Sequence, residues 1–161
     1  MGSDSDFPIM EEAANILKQF GVGYELLVAS AHRSPARTRA YVKKAEKKGI
    51  KALIAGAGGA AHLAGTLAAE SHLPVIGIPI DSSPLNGLDA LLSTAQMPGG
   101  VPVACMGIGK SGARNAGILA VQILALEDKK LHSRLIQYKK YQAKEVEIKS
   151  KKINATHAAN P

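Results

Sequence analysis

The chain has 161 residues, enough for one domain that buries roughly 68–70% of the surface its unfolded form exposes. Hydrophobic residues make up 46% but aromatics only 4%, so the core must be built from Ala, Leu, Ile and Val, and one cysteine excludes an internal disulfide framework. The net charge of +7 is concentrated between Glu127 and Lys152, where nine basic residues stand against four acidic ones, without the aromatic interleaving or reader motif of a nucleic-acid binder.

Ile9, Ala13, Ile16, Leu17 and Phe20 recur at helical spacing, with Pro8 near the start of that helix and Gly21 marking its end. Residues 24–29 read as a strand, and residues 35–48 as a helix closed by Gly49. A second apolar strand over 50–55 runs straight into the glycine-rich stretch 56–61. Residues 62–71 predict a short, Ala-rich helix, 75–80 a third strand and 87–95 another helix. Residues 101–106 supply a fourth strand, which holds Cys105 as a small core residue. A long helix over 113–126 follows, then a basic one from Leu131 to about Lys144, a solvated face with no nucleic-acid partner. The tail beyond it lacks periodicity and is expected to be disordered from 146 to 161, leaving a single domain over 1–145.

Strands alternating with helices mean βαβ units and a parallel sheet covered on both faces, which suits strands that are continuous apolar runs. The opening Gly2-Ser3-Asp4-Ser5-Asp6 reads as a loop between a strand and the first helix, yet no strand precedes it. Either the sheet lacks its first strand or the sequence begins inside the domain. No signal peptide and no apolar stretch of bilayer length is visible, so a cytoplasmic protein without a membrane partner is expected.

Three loops belong at the carboxyl edge of such a sheet, where open α/β folds hold their ligands. The first carries Ser3, Ser5 and Asp6 near a helix N-terminus, where backbone N–H groups bind anions; taken alone, it equally fits a cap with a turn. The second, Ser30-Ala31-His32-Arg33-Ser34-Pro35, sets a proton carrier beside a fixed cation, with Ser34 as N-cap and Pro35 in the first turn. An imidazole can give and take a proton within one turnover, and the Arg fork suits phosphate or carboxylate. A structural histidine and a surface ion pair are the alternatives. The third loop, from Gly56 to His62, lacks a Gly-Lys-Ser/Thr ending and is a poor dinucleotide fingerprint, so it can line a pocket but not cradle a triphosphate. The five histidines lack ligand spacing with Cys or carboxylates, and no metal is expected.

With these stretches in view, the chain resembles the 5-(carboxyamino)imidazole ribonucleotide mutase family of purine biosynthesis, commonly called PurE. The matching motifs are Gly2 to Asp6, Ser30 to Pro35, Ala55 to Leu63, Gly87 to Ser93, and Gln96-Met97-Pro98 followed by Gly100-Val101-Pro102-Val103. Asn115-Ala116 and Gln122 to Ala125 extend the match. The resemblance implies a three-layer αβα sandwich with a flavodoxin- or Rossmann-like parallel sheet, and a homo-octamer. It implies carboxyl transfer from an exocyclic amine to carbon 4 of an aminoimidazole ribonucleotide, with no cofactor. His32 would be the catalytic residue, and Ser3, Asp6 and Arg33 would contact the ribonucleotide. Ser5, Ser30, Gly58, Gly59, His62 and Leu63 would line the same pocket.

Departures from the family pattern are Ala64 and Thr66, where Pro and Met are usual, and Cys105 in place of Thr. The related carboxylase, which uses free carbon dioxide, tends to carry Lys at the position of Arg33 and lacks the Ala-Ala-His-Leu ending. Both features favour the mutase. A ribonucleotide-binding module without catalysis is the remaining alternative.

Overall fold

The computed structural model describes residues 1–158. They form two compact units, Met1–Ile123 and a C-terminal one that begins at Leu124. In the first unit, helix α1 (Phe7–Gln19) follows a single 3-10 turn over Asp4–Asp6, and α2 (Pro35–Lys47) comes next. Then β1 (Leu53–Gly58), α3 (His62–Glu70), β2 (Val75–Ile80), α4 (Leu88–Ala95), β3 (Ala104–Cys105) and α5 (Gly109–Ala125) alternate.

The three strands lie in the order β1-β2-β3 and every pairing is parallel, with Ala55 opposite Gly77 and Ile76 opposite Ala104. Alternation along β1 and β2 sorts their side chains to two faces. Leu53, Ala55 and Val75 form one core cluster with Val42 and Ala45 of α2 and Leu63, Ala64 and Leu67 of α3. On the opposite face, a Cβ on Gly56 would sit 2.2 Å from Sδ of Met10 in α1, and α1 meets α5 where a Cβ on Gly117 would fall 2.8 Å from Cβ of Ile16. The expected three-layer α/β sandwich is thus the observed one, and small residues mark the places where its layers approach.

Two expectations fail within this unit. The predicted strand at 24–29 is not part of the sheet. Among the described residues its backbone hydrogen-bonds only with Met1, whose ammonium donates to Leu27 O at 2.9 Å and whose carbonyl accepts from Ala29 N at 2.9 Å. Gly2 N in turn donates to Gly56 O at 3.1 Å. Met1 and Gly2 therefore hold a strand position between residues 24–29 and β1, but one bridging residue is not a ladder. Tyr24, Leu26 and Val28 are exposed. The predicted strand at 101–106 shrinks to two residues. Pro102 has no N–H to start a ladder, and Pro79, which faces the same neighbour as Gly77, has none to continue it.

In the C-terminal unit, α6 runs over Lys129–Ala158, so the helix expected to end near Lys144 and the tail expected to be disordered from 146 are one continuous helix. No Gly or Pro intervenes before Pro161, and Glu145–Lys149 and Glu147–Lys151 are spaced for favourable i, i+4 pairs. The last three residues of the expected tail lie outside the described ones. Among the described residues no helix is long and apolar enough to cross a membrane.

Candidate active site

The Met1–Gly2 segment, the chain at 24–29 and β1 lie side by side, the switch-point arrangement of a doubly wound sheet, where loops leaving neighbouring strands diverge. A cleft of about 300 Å³ opens there. Three loops supply most of its wall, and each is held by its own hydrogen bonds.

The first loop is a capping box. Ser3 N donates to Oδ2 of Asp6 at 2.9 Å, while Ser3 Oγ accepts from Ser5 N at 3.4 Å. Ser5 Oγ donates to Ser3 Oγ at 3.0 Å. Asp6 is 4% exposed, and burial pushes its carboxyl above the usual carboxylate range, against the pull of Ser3 N. The cap reading of this loop is therefore correct as geometry, and the cap also presents two serine hydroxyls to the cleft.

In the second loop the Ser30 carbonyl gathers three donors: Ser34 N at 3.0 Å, Ser34 Oγ at 3.1 Å and Thr38 Oγ1 at 3.3 Å. Arg33 N donates to Ser30 Oγ at 3.1 Å. This tight turn fixes the backbone on both sides of His32 and leaves two side chains free to project. Arg33 reaches the first loop, where Nη2 lies 3.5 Å from Gly2 O. Ser34 starts α2 without a side-chain cap bond to that helix, because its hydroxyl is committed to Ser30.

The third loop leaves β1 and turns through two left-handed residues, Gly59 at φ +59° and Ala61 at φ +44°. The hydroxyl of Ser93 in α4 donates to the Ala60 carbonyl between them. His62 then opens α3, and its Nδ1 lies 2.6 Å from Nε2 of His32 with the rings edge to face at 84°.

Of the residues expected at the site, Ser3, Ser5, Asp6, Ser30, His32, Arg33, Gly58, His62 and Leu63 all line this cleft. Gly59, also expected there, turns the loop instead. Gly2, Ala31, Ala57 and Ala61, which belong to the three expected loops without having been singled out, complete the wall with Ser82, which was not foreseen. Ser82 follows β2, so the rule that picked out the other loops reaches it too. It also explains Gly58, where a Cβ would lie 1.8 Å from Ser82 Oγ.

Such an arrangement pairs a proton carrier with a fixed cation and several hydroxyl and amide donors, beside a wall of Gly and Ala. It can hold a small anionic molecule and move one proton on it. A family model described as AIR carboxylase matches residues 1–145. The chain belongs to this family. Among its AIR carboxylase relatives, the N5-carboxyaminoimidazole ribonucleotide mutase of Thermotoga maritima is 52% identical over 153 residues, covering 95% of this chain and 88% of its own. The phosphoribosylaminoimidazole carboxylase of Saccharomyces cerevisiae is 50% identical over 153 residues, which are 95% of this chain and 26% of that one. The crystal structure of Treponema denticola PurE superposes with a TM-score of 0.86 at 29% identity, covering 94% of each chain.

Proposed function

We propose that this AIR carboxylase family member is an N5-carboxyaminoimidazole ribonucleotide mutase, moving a carboxyl group from the exocyclic amine to carbon 4 of the ring. The observation that carries the reading is the convergence of His32 and Arg33 with the Ser3–Asp6 cap and the loop from Gly58 to Leu63 in one cleft. Relatives that carry this name at about half identity over nearly the whole chain support it. Arg33, Ser3 and Asp6 bind the ribonucleotide, with the guanidinium and the serine hydroxyls suited to its phosphate and the carboxylate to a sugar hydroxyl.

His32 carries the chemistry. Protonated, it gives its proton to the carbamate nitrogen as the carbon–nitrogen bond breaks and the bonding pair returns to nitrogen. Carbon dioxide is released beside an electron-rich ring. Carbon 4 attacks it, a carbon–carbon bond forms, and the proton left on carbon 4 passes to the now neutral His32. One proton leaves the imidazole and one returns. The small residues Ala57, Gly58 and Ala61 keep the gas next to carbon 4, and such confinement replaces roughly 7–11 kcal/mol of barrier in well-oriented reactions.

A second reading, direct carboxylation of aminoimidazole ribonucleotide, is favoured by the name of the yeast relative at 50% identity. Assaying the carbamate without bicarbonate against aminoimidazole ribonucleotide with bicarbonate separates the two. Faster turnover of the carbamate is expected; the reverse order assigns the chain to the carboxylases. The enzyme works as a homo-octamer in the cytoplasm on this proposal. Exposed Leu85, Leu88 and Leu92 supply apolar surface for assembly, and a lone cysteine suits a reducing compartment.

A further inference from the structure

We propose that His62 is a positioning residue that holds the His32 ring and fixes which of its nitrogens carries the N–H. The inference rests on the mutase reading and adds to it a role for the second imidazole. At 2.6 Å, Nε2 of His32 and Nδ1 of His62 have one hydrogen between them, so one nitrogen donates and the other accepts. His62 is the first residue of α3, where the partial positive charge of a helix N-terminus favours the acceptor role. His32 Nε2 is then the donor. With its N–H directed at His62, neutral His32 keeps its lone pair on Nδ1, which leaves Nδ1 as the nitrogen able to receive the proton from carbon 4.

The backbone around His62 is arranged to hold this contact. Ala61 lies at φ +44°, a conformation that side-chain-bearing residues rarely adopt, and it directly precedes the imidazole. Ser93 fixes the Ala60 carbonyl from a neighbouring helix, and Thr66 Oγ1 donates to His62 O at 2.9 Å. On the other side, the Ser30–Ser34 turn fixes the backbone of His32. The two rings meet edge to face at 84°, so they do not stack, and the nitrogen–nitrogen contact lies at their meeting point.

The test uses the full chain with His62→Ala and His62→Asn, steady-state kinetics on the carbamate, and ¹⁵N NMR of the His32 imidazole without substrate. Asn is chosen because its Oδ1 stands near the place of Nδ1 and accepts the same hydrogen. In the wild type, at a pH where the imidazole is neutral, His32 is expected as the Nε2–H tautomer. His62→Ala should lose that preference and lower kcat by about 10–100-fold, the range for partners that orient other functional histidines, with little change in KM. His62→Asn should restore the tautomer and most of kcat. Unchanged His32 resonances in folded His62→Ala, or a loss confined to KM, overturns the proposal, as does failure of His62→Asn to restore either readout. The NMR arm reads the contact whether or not the carbamate is the substrate, so it stands apart from the assay that tests the mutase reading.

Discussion

His32 and Arg33 are neighbours in sequence but face separate tasks, and the turn from Ser30 to Ser34 lets both side chains reach one cleft. Removing the imidazole should leave the binding groups in place. His32→Asn is expected to lower turnover by at least the roughly 10²–10⁴ that a positioned acid–base group supplies, while ribonucleotide binding, measured by calorimetry, stays within a few fold. Retained turnover would remove His32 from the mechanism. The residues of this site were readable because strand ends, a capping serine and an arginine beside a histidine each have a local signature. Contact between His32 and His62 had none: thirty residues separate them, and their loops meet because residues 24–29 and β1 flank the same Met1–Gly2 segment. Ser82 was overlooked although it lies just past the end of β2, where the same strand-end rule reaches it.

At the level of elements, the alternation of apolar runs with helical periods was enough to give the layers. It was not enough to give the ladder. Residues 24–29 have a strand's composition, yet a strand requires a partner, and among the described residues Met1 alone meets their backbone as one. The helix at 145–158 failed in the other direction, because its polar sequence shows no apolar period although it contains nothing that breaks a helix. Close helix–sheet packing gives a direct check of the architecture. A Cβ on Gly77 would lie 2.4 Å from Cγ2 of Thr94 and 3.0 Å from Cγ1 of Val103, closer than ordinary van der Waals contact. Gly77→Ala should therefore cost about 1–3 kcal/mol in urea unfolding. Gly99→Ala, whose methyl group would meet nothing within 4 Å, should stay within about 0.5 kcal/mol of wild type.

Across the whole molecule, carboxylates at or near the surface tie distant elements together. Arg114 holds Glu12 below the usual carboxyl range, Lys48 does so for Glu25, and the His72 N–H followed by the Ser71 hydroxyl does so for Glu46. The unfolded chain binds more protons at these sites than the native one as pH falls below 4.5, so their stabilisation is present above that value and lost beneath it. Asp6 has the opposite sign, since burial raises its carboxyl. The three glutamates should dominate: the urea midpoint is expected to fall between about pH 6 and pH 3, and Glu46→Gln should make the fall shallower. A slope unaltered by Glu46→Gln would mean that the contact with the 71–72 turn contributes nothing.

The proposed reaction needs one cleft that breaks a carbon–nitrogen bond and keeps the released carbon dioxide for carbon 4. The most direct measurement is the carbamate assay run with ¹³C in the carboxyl group and unlabelled bicarbonate in the buffer, with the product examined by mass spectrometry. Product that retains the label is the predicted result. Product formed with unlabelled carbon, or none formed at all, would contradict it.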